Sequence, residues 1–217
     1  MQTVFFDLDG TLTDPMEGIT GCIQHALREL DRQVLPAEQL TWCIGPPLLE
    51  SLRALVGDEL ADRALALYRE RFADVGLYEN ELYPGVVDTL QAFSAAGARL
   101  FVASSKPEVY VQRIVAHFAI GDFFDGVFGS RLDGTRVDKS ELLRFALAQT
   151  HTVAATTTMV GDREHDVIGA RQNGMRTVGV LYGYGSAEEL EQAGAHALAN
   201  TPQELVSVLV DLSRTLM

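Results

Sequence analysis

At 217 residues the chain has the length of one large domain, or of one domain carrying a smaller insert. With 47% hydrophobic residues it can build a substantial core. A formal net charge of −13, from 30 acids against 17 bases, argues against a nucleic-acid backbone as partner. No run of like charge stands out, so the acidity reads as a solvated surface, and an anionic substrate would need a site made locally positive by a metal ion or a few lysines.

In chain order, the first element is the apolar run VFF, a short buried strand that leads straight into Asp7. Residues 15 to 80 change character. MEGITGCIQHALREL carries a helical stripe of Ile19, Ile23, Ala26, Leu27 and Leu30, and Pro47 opens a second helix through Leu48, Leu49, Leu52, Leu55 and Val56. A third runs from about Asp58 to Val75 with Leu60, Ala64, Leu67, Tyr68 and Phe72, and Trp42 is expected in the core of this helical block.

From residue 85 helices and short apolar strands alternate. GVVDTLQAFSAAG is a helix, RLFVAS a strand, PEVYVQRIVAHFA a helix, GVFGS a strand, DKSELLRFALAQ a helix and TTTMVG a strand. EHDVIGARQNG follows as a helix, RTVGVLYG as a strand and PQELVSVLVDLSRTLM as a terminal helix. Such alternation predicts an α/β fold, a doubly wound parallel-sheet, Rossmann-like core with a small all-helical cap inserted after the first strand. The expected boundaries are core over 1–14, cap over 15–82 and core again over 83–217.

Cys22 and Cys43 lack metal-ligand spacing, and a reduced intracellular protein is the simpler view of them. The opening MQTVFF has no signal-peptide character, and no apolar stretch reaches the length of a membrane span. The expectation is a cytoplasmic protein with no membrane and no nucleic-acid partner, its oligomeric state left open between monomer and dimer.

The chemistry lies where strands end. Asp7 and Asp9 stand one residue apart, so on an extended backbone their side chains face the same way and repel unless a cation joins them. Magnesium is the natural cation, since it takes hard oxygen ligands from one or two carboxylates plus a substrate phosphate. In open parallel sheets ligands bind beyond the carboxyl ends of the strands. Ser104-Ser105-Lys106 and Gly161-Asp162 also follow strand-like runs, and Lys139 opens a helix shortly after another. Singly, these residues read as strand ends, helix caps or a solvated lysine, and only Asp7, at the end of a buried run, resists that account.

Together, Asp7-Leu8-Asp9-Gly10-Thr11, Ser104, Lys139 and Gly161-Asp162-Arg163-Glu164-His165-Asp166 resemble the four motifs of the haloacid dehalogenase-like phosphohydrolases, in order and in separation. DLDGTLTDP, the IGPP loop and SSKP are most similar to the phosphoglycolate phosphatase-like branch. Motif three departs from the common Lys-Pro, with Asp138 before and Ser140 after Lys139.

The resemblance implies Asp7 as nucleophile, and Asp9 as proton donor and acceptor that touches the metal through its backbone carbonyl. Ser104 and Lys139 would hold the phosphoryl group, with Gly45, Ser105 and Lys106 as further substrate contacts. Asp7, Asp9 and Asp162 would hold magnesium, and Asp166 would support Lys139 or a metal-bound water. The implied function is a magnesium-dependent phosphatase acting on a small phosphorylated metabolite through an aspartyl-phosphate. Phosphoglycolate, a nucleoside monophosphate and an aryl phosphate are the substrate readings. A phosphomutase, or a non-catalytic phosphometabolite-sensing domain, is the alternative.

Overall fold

The computed structural model of the protein describes residues 2–215; Met1, Leu216 and Met217, the ends of the expected first segment and terminal helix, lie outside the described residues. The chain divides into two compact units, Met1–Thr13 with Leu82–Met217, and Asp14–Glu81.

The first unit begins with β1 (Thr3–Phe6), and the chain leaves it through β2 (Thr13–Asp14). It returns through β3 (Glu81–Leu82) into α4 (Val86–Ala95), β4 (Arg99–Pro107), α5 (Glu108–His117) and β5 (Gly126–Ser130). There follow α6 (Lys139–Thr150), β6 (Thr157–Gly161), α7 (Glu164–Gln172), β7 (Arg176–Val180), α8 (Ala187–Ala193), β8 (Ala197–Ala199) and α9 (Glu204–Thr215). Six strands form one parallel sheet in the order β5-β4-β1-β6-β7-β8. Strand order reverses at β1, which pairs with β4 on one side and β6 on the other, and this is where open α/β sheets bind ligands.

All four residues of β1 are buried, as expected of a strand covered on both faces. Phe5 stacks on Phe101 at 4.8 Å in a cluster with Leu142, Leu143, Met159 and Met175. Phe6, on the opposite face, meets Phe93 of α4 at 6.0 Å. The period-two alternation of a strand thus serves two hydrophobic layers.

The second unit holds α1 (Met16–Glu29), α2 (Leu48–Val56) and α3 (Asp58–Arg71), which runs on into a π-helical turn, Phe72–Gly76. Part of the expected stripes forms its core: Ile19, Ile23, Ala26 and Leu27 of α1, Leu52 of α2, and Ala64, Leu67, Tyr68 and Phe72 are buried, whereas Leu30, Leu48, Leu49, Leu55, Val56 and Leu60 are half-buried. Trp42 corrects an expectation. It is 45% exposed, because it stands in a short 3-10 turn whose neighbouring Cys43 and Ile44 point inward.

Other differences lie at strand ends. β4 runs on to Pro107 with a register shift between Ser104 and Pro107, whereas RTVGVLYG stops as a strand at Val180. α8 and β8 escaped the sequence reading, since seven and three residues are too short for a periodic signal. Among the described residues no helix is long and apolar enough to cross a membrane.

Truncating Phe101 to alanine removes the ring that covers Phe5 at the sheet's centre. F101A is expected to lose about 3–5 kcal/mol in urea unfolding of the first unit. A loss below about 1 kcal/mol would show that this layer does not carry the sheet.

Candidate active site

The carboxyl edge of the sheet is built around β1. The register Phe6↔Val102 and Phe6↔Val160 puts Asp7, Ser104 and Asp162 one or two residues beyond the paired rows of three adjacent strands. Asp7 is still held by the sheet, its N–H donating to Val160 O at 2.8 Å. The chain then turns, with the N–H groups of Leu12 and Thr13 both donating to Leu8 O at 2.9 Å. Gly10 takes φ +81°, and a Cβ there would collide with the Asp162 carboxylate. That turn keeps both Asp7 and Asp9 buried at one place.

Lys139 reaches this edge from the first position of α6, whose N-terminus is capped by Asp138 accepting from Glu141 N–H at 3.0 Å. Ser140, which stands after Lys139 where the common Lys-Pro has proline, donates its hydroxyl proton to the same Asp138 carboxylate at 2.6 Å. Lys139 is buried, and its Nζ lies 3.0 Å from Asp7 Oδ1, 3.0 Å from Ala103 O and 2.6 Å from Asp166 Oδ1. Burial by itself would lower the ammonium's pKa, but Asp166 and Asp7 outweigh it and raise it, so Lys139 stays charged.

Asp7, Asp162 and Asp166 are all buried, and one carboxylate oxygen from each lies within 4.8 Å of the others. Asp162 follows β6; its Oδ2 accepts from Tyr184 N–H at 2.8 Å and its Oδ1 from Thr11 Oγ1 at 3.4 Å. Burial, with Asp166 and Asp7 nearby, holds its carboxyl well above the usual carboxylate range. Asp166 sits in the first turn of α7, where its Oδ2 accepts from Arg163 N–H at 3.2 Å; burial pushes its pKa up to about 6 against the pull of Lys139.

Three buried acids meet one lysine, which leaves two negative charges uncompensated when all are ionised. An all-oxygen cluster with that imbalance fits one hard divalent cation. Asp9's carboxylate is not part of it. Both Asp9 oxygens face Lys106 Nζ, at 2.8 Å and 2.7 Å, and burial raises the Asp9 pKa while Lys106 pulls it down.

Ser104 is buried, with its Oγ accepting from Lys106 N–H at 3.3 Å, and Ser105 O accepts from Ser130 Oγ at 2.7 Å. His165 is half-buried in the first turn of α7. Gly45 belongs to the second unit, where it follows Ile44 with φ +101°.

Sequence reasoning missed a segment after β7. Besides the Tyr184 bond, Tyr182 donates its hydroxyl proton to Thr11 O at 3.1 Å, and Gly183 packs so closely on Gly10 O and Asp162 that a Cβ would not fit. Glu189 Oε1 accepts from Arg163 Nε at 2.8 Å and from Glu164 N–H at 2.9 Å, tying α8 to the start of α7. The paired glycines of LYGYGS, just past a strand-like run, were the available signal.

With this geometry in view, the relatives fall into place. A family model described as haloacid dehalogenase-like hydrolase matches residues 4–180. A protein of Pseudomonas aeruginosa named 5'-nucleotidase is 46% identical, with 86% of each chain covered. A phosphoglycolate phosphatase of Colwellia psychrerythraea is 27% identical, over 98% of this chain and 97% of its own. The structure of Mycobacterium tuberculosis Protein Tyrosine Kinase A superimposes with a TM-score of 0.85 at 40% identity, covering 96% of this chain and 97% of that one. A chain that this family's model matches over residues 4–180, and that shares 46% identity with a relative over 86% of each chain, belongs to the haloacid dehalogenase-like hydrolases.

Proposed function

We propose that this hydrolase is a magnesium-dependent phosphatase of small phosphomonoesters that works through a phosphorylated Asp7. The observation that carries the reading is the buried cluster at the end of β1, in which Lys139 touches Asp7 and Asp166 while Asp162 closes the oxygen set. Asp7 attacks phosphorus as Asp9 protonates the departing ester oxygen, so the P–O ester bond breaks as the aspartyl-phosphate forms. Asp9 then takes a proton from the water that cleaves the acyl phosphate, which restores Asp7 and frees inorganic phosphate.

Lys139, fixed on Asp7 and Ala103 O, orients the nucleophile and offsets charge on the transferring group. Ser104 already accepts from Lys106 N–H, which leaves its hydroxyl proton to donate to a phosphoryl oxygen. Asp7 and Asp162, with the Asp9 backbone carbonyl, would hold a magnesium ion, which supplies positive charge beside the phosphoryl oxygens. Asp166 orients Lys139.

The reading gives the helical unit the part of a cap that selects the leaving group and shuts out water, with Gly45 and Ser105 among the substrate contacts. It carries a cytoplasmic location, in keeping with two buried thiols at Cys22 and Cys43. Among substrates, the higher identity to the 5'-nucleotidase favours a nucleoside monophosphate over phosphoglycolate. The likeness to a tyrosine kinase supports a second reading, in which the phosphoryl group passes from Asp7 to a hydroxyl acceptor.

A panel of phosphomonoesters, including nucleoside monophosphates, phosphoglycolate and a generic aryl phosphate, decides both points. Magnesium-dependent release of free phosphate is expected, with the highest kcat/KM on a nucleoside monophosphate. Phosphate appearing only on an added hydroxyl acceptor would favour transfer.

D7N should fold normally and lose turnover by about a millionfold, since it removes the nucleophile. Wild-type activity in that variant would end the assignment.

Magnesium should also stabilise the fold in a pH-dependent way. The Asp162 and Asp166 carboxyls have raised folded-state pKa values, so in the metal-free protein their contribution to stability is present in acid and is lost as pH rises through about 6 for Asp166. The cation needs the deprotonated forms and reverses that loss. Its stabilisation, read as the rise in Tm, should therefore be larger at about pH 7.5 than at about pH 5, and at a hundredfold excess over Kd it amounts to about 2.7 kcal/mol of unfolding free energy. An equal shift at both would place the cation elsewhere.

A further inference from the structure

We propose that Lys106 is a positioning residue for Asp9, acting through that carboxylate and not through contact with substrate. The inference rests on the reading of Asp9 as proton donor given above. Lys106 Nζ lies 2.8 Å from one Asp9 oxygen and 2.7 Å from the other, with side chains only 8% and 10% exposed. An ammonium that bridges both oxygens fixes the plane of the carboxyl as well as its place. If it moved to a substrate phosphate, it would leave a buried carboxyl group without its hydrogen-bond partner.

The backbone around Lys106 is built to aim it. The strand register breaks between Ser104 and Pro107, and such an irregularity re-aims a side chain. Its own N–H is bonded to Ser104 Oγ, the preceding carbonyl to Ser130 Oγ, and the following Pro107 caps α5. Lys139 meanwhile is held by Asp7 at 3.0 Å and by Asp166 at 2.6 Å.

A residue that works through a proton donor matters in proportion to the proton the leaving group needs. An alkoxide must be protonated as it departs, whereas 2,4-dinitrophenolate leaves unaided. The test is single-turnover release of the leaving group, with KM from steady state, for an alkyl phosphate and 2,4-dinitrophenyl phosphate, in wild type, K106M and D9N.

K106M should slow alkyl release by about 100-fold or more and dinitrophenolate release by less than about tenfold, with both KM values within about threefold of wild type. D9N should show the same selectivity. Aminoethylation of K106C, which rebuilds an ammonium at nearly the same reach while Cys22 and Cys43 stay buried, should restore alkyl release. K106Q serves in the same comparison should K106M not fold.

A rise in KM at unchanged release rate would make Lys106 a substrate contact, and equal losses on both substrates would make it merely structural; either overturns the proposal. If D9N discriminates between leaving groups and K106M does not, this inference alone falls. If D9N fails to discriminate, the role given to Asp9 falls with it.

Discussion

The molecule is organised by the need to bury four carboxylates at one edge of a sheet with only two ammonium groups among them. Asp7, Asp9, Asp162 and Asp166 are all buried, and ionised carboxylates in such surroundings persist only when paired. Lys106 holds Asp9, while Lys139 is shared between Asp7 and Asp166. The remaining charge has no protein partner within the Asp7, Asp162 and Asp166 cluster, which fits a hard cation, and burial there raises the Asp162 and Asp166 carboxyl pKa values.

The fold supplies the means. A parallel sheet whose order reverses at β1 brings the ends of β4, β1 and β6 side by side, so residues some hundred and fifty positions apart share one site. Around it stands a supporting layer. The segment from Tyr182 to Glu189 bonds to Thr11 O, to Asp162 Oδ2 and to the start of α7, so both loops that carry acids are tied to a single strap. Such support keeps reacting groups in register, because chemistry of this kind tolerates little misplacement.

What could be read from the residues differed from place to place. The apolar run into Asp7 and its pairing with Asp9 announced a strand end carrying chemistry, because a turn or a helix cap accounts for Asp9 or Asp162 taken singly but not for an acid that ends a buried run. The alternation of helices and strands announced a parallel sheet, and the structure has one. Lys106 offered no such clue. Its role depends on a register shift in β4 that no sequence period encodes, and a lysine before proline has many innocent explanations. Trp42 misled for a related reason: size suggests a core residue, but a tight turn placed its neighbours inward and left the ring outside. The strap after β7 was missed because Tyr182, Tyr184 and Glu189 meet Thr11 O, Asp162 and the start of α7 only across the fold, and two glycines past a strand do not name those partners.

By itself the sequence determined the two-layered core, the helical unit and the choice of oxygen and ammonium chemistry, since these follow from periodicity and residue type. Which acid each lysine serves was settled only in three dimensions. Coulombic and hydrogen-bond preferences among buried charges fall off over a few ångströms, so they are decided by where strands end and how they bend, not by spacing along the chain.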